Sequence, residues 1–287
     1  MPLIIKNKFE LLRKLNSLRS KKINFIPTMG NLHDGHMSLI KKAKKNECLN
    51  LVSIYINPLQ FNDKYDLKKY PRTIQEDLIK LKKIDVDIVF IPNGIFNDTN
   101  SFTINLGDIA KKLCGKKRKG HFEGVATIIL KFLLLIRPNK IFLGEKDFQQ
   151  ILIIKKLIKD FNFDIKVILV KTYRDKNGVA LSSRNQFVKN SELLKEVFKN
   201  LKLIRERILS GNFSLFQLDR LRDNLKSTGI DEVNYLELLK ESDLTALDSK
   251  PSKCRLFISV RIEKVNLIDN LKLTERLSVC KKGIVRI

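Results

Sequence analysis

The chain has 287 residues, of which 43% are hydrophobic and 30% charged; 56 Lys and Arg against 31 Asp and Glu give a net charge of +25. That length can bury a sizeable core in one large domain or two modest ones. The composition excludes a disordered chain, a collagen-like fibre and a small disulfide-stapled scaffold. The positive excess suits an anionic partner. Lysine is nevertheless spread through the whole chain, and the densest basic cluster, residues 111–119, is short and lacks interleaved aromatic side chains. A nucleic-acid footprint is therefore not expected. In chain order, residues 23–26 read as a short buried strand that ends in a Pro/Gly-rich turn. Residues 36–45 read as a helix with Met37, Leu39, Ile40 and Ala43 on one side. A second strand covers 51–56, and a helix follows over 73–84, with Thr73 at its N-cap and Glu76 three residues on. Residues 87–91 form a third strand stopped by Pro92. An apolar helix at 127–135 closes at Pro138. A strand at 141–143, a helix at 147–161 and a strand at 165–170 complete the alternation.

Short apolar strands alternating with helices point to a parallel sheet covered on both faces, and right-handed crossovers make it Rossmann-like. No G-x-G-x-x-G follows the first strand, which argues against the dinucleotide-binding version. After residue 184 the pattern changes. Residues 191–226 read as two charged amphipathic helices split at Gly211 and Asn212. Residues 233–238 and 255–262 alternate like half-exposed strands, and 265–273 returns as a third. The expected division is 1–184 for the α/β domain and 185–287 for a smaller α+β domain. The four cysteines, Cys48, Cys114, Cys254 and Cys280, form no C-x-x-C pair, so neither a zinc ribbon nor a redox motif is indicated. Free thiols suit a reducing compartment. There is no signal-peptide core in the first 15 residues and no apolar run long enough for a bilayer. The expectation is a soluble, cytoplasmic protein with no membrane partner.

Ligands of open parallel sheets sit beyond the carboxyl ends of the strands, and the chemically unusual segments fall there. The first strand exits into Met29, Gly30, Asn31, Leu32, His33, Asp34, Gly35 and His36. The second exits towards Gln60. The fourth exits into Gly144, Glu145, Lys146 and Asp147, with Gln150 soon after. The fifth leads to Tyr173, and then to Leu181, Ser182, Ser183 and Arg184. His33 and His36 lie one turn apart at a helix start, where free N–H groups and the dipole favour a phosphate. They fit phosphate binding, simple helix capping, or, less well, zinc, for which no H-E-x-x-H and no nearby third ligand exists. Lys146 could neutralise phosphate and Asp147 could bind a ribose, or they could be a solvated lysine and a helix cap. Ser182, Ser183 and Arg184 supply two hydroxyls and a guanidinium fork suited to a triphosphate. Gln60 and Gln150 suit a hydroxyl- and carboxylate-bearing substrate, or a plain surface.

Together these segments resemble the pantoate–β-alanine ligase family. The run from Pro27 through Thr28, Met29, Gly30, Leu32, His33 and Gly35 to His36 resembles that family's form of the H-x-G-H nucleotidyl-transferase motif. Asn57, Pro58, Leu59, Gln60 and Phe61; Tyr70, Pro71 and Arg72; His121 to Thr127; Gly144 to Gln150; and Ser182 to Asn185 are similar to its other blocks, in its order. Asn31 stands where the family usually has a small residue, Leu181 where it often has Met, and Tyr173 where an aliphatic residue is usual. The resemblance implies ATP-dependent condensation of pantoate with β-alanine through a pantoyl adenylate. It implies His36, His33 and Lys146 as catalytic residues. It implies ATP binding by Met29 to His36, Gly144 to Asp147, Tyr173, Leu181, Ser182, Ser183 and Arg184, and pantoate or β-alanine binding by Gln60 and Gln150. It further implies Mg²⁺ on the phosphates, a C-terminal lid domain and a homodimer. Two other readings remain: a nucleotidyl transferase without a ligase step, and a nucleic-acid-binding protein.

Overall fold

The computed structural model describes residues 1–45, 47–93, 104–211, 213–214, 216–280 and 283–286. The chain divides into two compact units, Met1–Glu145 with Gln149–Tyr173, and Lys146–Phe148 with Arg174–Ile287. The second unit thus begins earlier than the 185 expected from composition, and it takes in a three-residue piece of the middle of the chain. The physical reason is a set of buried polar contacts from Arg174 and Lys146 to the last long strand, described below.

The first unit opens with strand β1 (Leu3–Ile5) and helix α1 (Lys8–Ser17), which the periodicity does not single out. It continues with β2 (Ile23–Thr28), α2 (Asp34–Ala43) and β3 (Leu49–Ile54). A 3-10 turn at Pro58–Gln60 leads to α3 (Lys64–Lys69), α4 (Ile74–Lys83) and β4 (Ile88–Phe90). Then come α5 (Leu113–Lys117), α6 (His121–Ile136), β5 (Lys140–Gly144), α7 (Phe148–Asp160) and β6 (Lys166–Val170). The six strands pair in the order β1-β4-β3-β2-β5-β6, all parallel. The inner strands β2 to β5 are covered on both faces, which is why they read as mostly apolar runs, broken by the buried Asn24, Asn50 and Ser53; the edge strands β1 and β6 are less buried. Ile26, Val52, Val89 and Phe142 pack with Leu39, Ile40 and Leu81 of α2 and α4. On the other face the Phe132 ring of α6 meets Phe25 at 5.5 Å and Phe90 at 6.2 Å between centroids, the tilted and edge-on geometry that aromatic quadrupoles prefer.

α6 starts at His121, six residues before the 127 expected. Gly120, at φ 77°, sets its entry, a left-handed conformation open to glycine at no steric cost. The basic cluster at 111–119 is tightly folded: Leu113 and Gly115 are buried, and a Cβ on Gly115 would come within 1.6 Å of the Ala110 carbonyl.

The second unit carries α8 (Ser191–Leu209), α9 (Phe216–Ser227), β7 (Glu232–Lys240), β8 (Ser252–Ile262), β9 (Val265–Cys280) and β10 (Gly283–Arg286). Gly211 separates the two helices as expected; Asn212, assigned to the same break, lies outside the described residues. The antiparallel order is β10-β9-β8-β7. Leu201, Ile204 and Ile208 of α8 pack with Leu256, Ile258 and Val260 of β8. β8 departs from the half-exposed alternation expected of it: its residues 254–260 are all buried, including Arg255 and Ser259. It is an inner strand of the sheet, and its second face is covered by Phe148, whose ring lies 6.0 Å from that of Phe257. Burial also pushes the Cys254 thiol up to about 11, so it stays a protonated, inert thiol. Cys48, Cys114 and Cys254 form no disulfide bond. No helix among the described residues is long and apolar enough to cross a membrane.

Candidate active site

From β2 onward, the strand order of the first unit reverses direction once. From β2 the chain moves outward to β3 and β4, then returns to the far side of β2 for β5 and β6. The switch point therefore lies between β2 and β5, where open sheets hold their ligands. The loop from Met29 to His33 leaves β2 there, and Gly144 ends β5 beside it.

Gly30 and Asn31 turn that loop, with φ of 78° and 49°. Asparagine is one of the few side chains that tolerates this left-handed region, so Asn31 fits the turn. The loop is anchored from α4. Asp77, fully buried, accepts from the Asn31 N–H at 2.9 Å and the Leu32 N–H at 2.7 Å. Lys80, one turn on, donates its Nζ to the Leu32 carbonyl at 2.6 Å. Neither Asp77 nor Lys80 is singled out by motif. The available signal is an acidic residue four before the buried Leu81, on the apolar stripe of an amphipathic helix, where an unpaired carboxylate would be costly.

His33 and His36 cap α2 reciprocally. His33 Nδ1 accepts from the Gly35 N–H at 3.1 Å, and His36 Nδ1 accepts from the His33 N–H at 3.2 Å. The rings lie 4.1 Å apart between centroids. In a neutral imidazole one nitrogen accepts and the other carries the proton. Both Nδ1 atoms accept, so both protons sit on Nε2. Capping and ligand binding are therefore not competing readings: each ring caps through Nδ1 and, when neutral, carries its proton on Nε2. Gly35 makes this possible, since a Cβ there would lie 2.8 Å from His33 Cε1. Tyr173 stands beside it, its Cβ 3.8 Å from that same point.

Gln60 is held from several sides. Its Oε1 accepts from Asn57 Nδ2 at 3.1 Å, and its Nε2 lies 2.6 Å from the Met29 sulfur. Its carbonyl accepts from Arg118 Nη2 at 3.2 Å and lies 2.7 Å from His121 Nδ1. Met29 and Gln60, expected in one crevice, are in contact. Gly124 lets α6 approach this turn: a Cβ there would sit 2.2 Å from the Leu59 carbonyl. Gly124→Ala is expected to destabilise the protein by about 1–3 kcal/mol through overpacking. An unchanged melting midpoint of the full chain would contradict that close approach. Gln150 is half-buried on α7. Its neighbour Gln149 is the buried glutamine, tied to the Ile109 and Lys112 carbonyls and the Cys114 N–H, so it seals the 109–114 loop.

The second unit holds the remaining candidates. Lys146 and Asp147 form an ion pair at 3.6 Å, with the Lys146 side chain 18% exposed. Ser182, Ser183 and Arg184 are half-buried in a turn in which Ser182 Oγ accepts from the Arg184 N–H at 3.2 Å. Asn185 closes the turn, donating its N–H to the Ser182 carbonyl and its Nδ2 to the Ala180 carbonyl, both at 3.0 Å. Among the described residues no group of three or more His, Cys, Asp or Glu side chains could hold a metal ion.

Comparison with known proteins gives the family of the chain. A family model for pantoate–β-alanine ligase matches residues 4–272. The chain is 42% identical over 261 residues to a bifunctional pantoate ligase/cytidylate kinase of Prochlorococcus marinus, covering 88% of this chain and 51% of that one; it thus spans about half the length of that relative. It is 42% identical over 291 residues to the pantothenate synthetase of Buchnera aphidicola, covering 95% of this chain and 99% of the other. The crystal structure of the Francisella tularensis pantoate–β-alanine ligase complexed with βγ-ATP and β-alanine has a TM-score of 0.82 to this fold, at 37% identity, over 95% of this chain and 98% of that one. With the match running through both units, this chain belongs to the pantoate–β-alanine ligase family.

Proposed function

We propose that this protein condenses pantoate with β-alanine at the expense of ATP, in two displacements through a pantoyl adenylate. In the first, a pantoate carboxylate oxygen bonds to the α-phosphorus and the bond to pyrophosphate breaks. In the second, the β-alanine amine attacks the acyl carbon, AMP leaves with the bonding pair, and the amine loses a proton. Adenylation is needed because a carboxylate oxygen is a poor leaving group and AMP is a good one. The observation that carries this reading is the reciprocal capping of α2 by the Nδ1 atoms of His33 and His36 on the switch point, in a chain matched to the family over residues 4–272.

The proposed roles follow from the chemistry of each group. Two carboxylate- or phosphate-bearing reactants repel, and donors aimed at developing charge lower that barrier. His36 gives its Nε2 proton to the departing pyrophosphate, with His33 beside it. Met29, Gly30, Asn31, Leu32, Asp34 and Gly35, with Gly144, Glu145, Tyr173 and Leu181, form the nucleotide's surroundings. Lys146, Ser182, Ser183 and Arg184 bind its phosphates, and Asp147 its ribose. Gln60, held by Asn57 and Met29, and Gln150 bind pantoate. Since the described residues gather no metal-binding cluster, Mg²⁺ is assigned to the substrate, as ATP–Mg²⁺, where it neutralises phosphate oxygens. The same reading makes the protein a cytoplasmic homodimer, which light scattering would report as twice the chain mass.

The test is pyrophosphate release from ATP–Mg²⁺ with pantoate, with and without β-alanine, while AMP and pantothenate are followed. Expected are pantoate-dependent release and β-alanine-dependent formation of AMP and pantothenate. Release that ignores pantoate would leave a nucleotide-binding protein and overturn the ligase.

A further inference from the structure

Lys146 and the turn at Ser182, Ser183 and Arg184 are remote in sequence, and both hang from two consecutive side chains of β9. Asp269 and Asn270 are 8% and 3% exposed. Asp269 takes Arg174 in a two-pronged ion pair, Oδ2 accepting from Nη1 at 2.7 Å and Oδ1 from Nη2 at 2.9 Å. Arg174 also donates to the Gly178 carbonyl at 3.0 Å and to the Asn270 carbonyl at 3.2 Å. That closes the 174–180 hairpin, in which Asp175 Oδ1 accepts from the Asn177 and Val179 N–H groups and Arg174 bridges Ala180. The Ala180 carbonyl is the point to which Asn185 ties the serine turn. An unbroken chain of directional bonds therefore runs from Asp269 to Ser182.

Asn270 serves the other segment. Its Nδ2 donates to the Lys146 carbonyl at 2.8 Å. Its Oδ1 accepts from Arg255 Nη1 at 2.5 Å. A guanidinium can only donate, so the amide oxygen must face Arg255 and the amide nitrogen must face Lys146. Arg255 is itself held by Glu241 at 2.9 Å and lies 4.0 Å over the Phe148 ring. A buried asparagine with both ends engaged has one orientation, and the lysine backbone is set by it.

We propose that Asp269 and Asn270 act as a two-residue clamp that positions the phosphate-binding groups, Asn270 acting through Lys146 and Asp269 through the serine turn. They are positioning residues and make no contact with the reacting atoms. The proposal rests on the roles given above to Lys146, Ser182, Ser183 and Arg184. A distinct signature separates the clamp from simple core stability: nucleotide affinity falls while pantoate affinity does not.

The experiment uses Asn270→Asp in the full chain. This isosteric change keeps an acceptor towards Arg255 and replaces the donor towards Lys146 by an oxygen that faces another oxygen. Binding of an αβ-methylene ATP analogue, whose bond to pyrophosphate cannot be broken, is titrated calorimetrically with Mg²⁺, and KM is measured for ATP and for pantoate. Expected are a loss of analogue affinity of about tenfold, a parallel rise in the ATP KM, and a pantoate KM within about twofold. Asp269→Asn, which weakens the Arg174 pair, is expected to show the same nucleotide-selective loss to a smaller degree. Unchanged analogue affinity in the folded Asn270→Asp protein overturns the clamp. So does an equal loss for ATP and pantoate, which marks a purely structural role. Should Asn270→Asp fail to fold, Asp269→Asn decides by the same criteria. The unaltered chain, assayed with pantoate alongside, tests the ligase reading separately, and the analogue titration judges the clamp whichever acid is the acceptor.

Discussion

His36→Asn is expected to lower pantoate-dependent pyrophosphate release by about 10²–10⁴-fold, the usual contribution of a positioned proton donor, with little change in melting midpoint. The substitution separates two jobs that one ring performs. Asparagine places an oxygen near the position of Nδ1, so it can keep accepting from the His33 N–H that His36 now caps. It has nothing at the position of Nε2. His36→Gln is the complement: its longer side chain reaches towards the Nε2 position and gives up the cap, at about 1 kcal/mol of helix stability. The first variant should be folded and slow, the second less stable and faster than the first. Single-turnover pyrophosphate release and thermal melting of both proteins check this. If the His36→Asn protein releases pyrophosphate at the rate of the unaltered chain, the ring has no part in the chemistry.

Asp77→Ala is expected to destabilise the protein by roughly 2–6 kcal/mol. It leaves the Asn31 and Leu32 N–H groups without their acceptor, and each orphaned donor costs about 1–3 kcal/mol. Pyrophosphate release should fall as well, because the loop that Asp77 anchors leads directly into His33. Asp77→Asn keeps one oxygen for one of the two donors and should fall between the parent and the alanine variant on both measures. Urea unfolding of the first unit's transition and the release assay are the two readouts. A stability loss under about 1 kcal/mol would show that water replaces the carboxylate and that the loop holds itself.

The inner parallel strands β2, β3 and β5 could be read from sequence because burial on both faces leaves a mostly apolar run; β6, half-buried at the sheet edge, was legible from its run of Val167, Ile168, Leu169 and Val170 alone. β1 could not: it is three residues long, its Leu3 and Ile4 are exposed, and its pattern merges with that of α1. The true start of α6 was hidden because Gly120 and the polar His121 and Glu123 resemble a loop. The site divides in the same way. Residues at strand exits stand out by type, so His33, His36, Gln60 and Lys146 were evident. Asp77, Asn57, Arg118 and Asn270 were not, because each engages backbone carbonyls or N–H groups, which every sequence position offers equally; nor was Arg255, whose side-chain partners Glu241, Asn270 and Phe148 come together only in the fold. Asp77 shows the limit best: its residue type suggests a solvated helix N-terminus, and only its place on the buried stripe with Leu81 marks it otherwise.

The bond between Asn270 and the Lys146 carbonyl spans 124 positions of sequence, and this sets an order on the ribosome. β5 and the start of α7 leave the exit tunnel long before the strand that orients the lysine between them exists. At synthesis rates of roughly 5–20 residues per second, those 124 residues take roughly 6–25 s to add. Through most of that interval Phe148 has neither Phe257 nor Arg255 to lie against. A nascent chain that can already pair its parallel strands therefore still lacks the strand that orients Lys146, and that part of the fold is completed only with the later strands of the second unit.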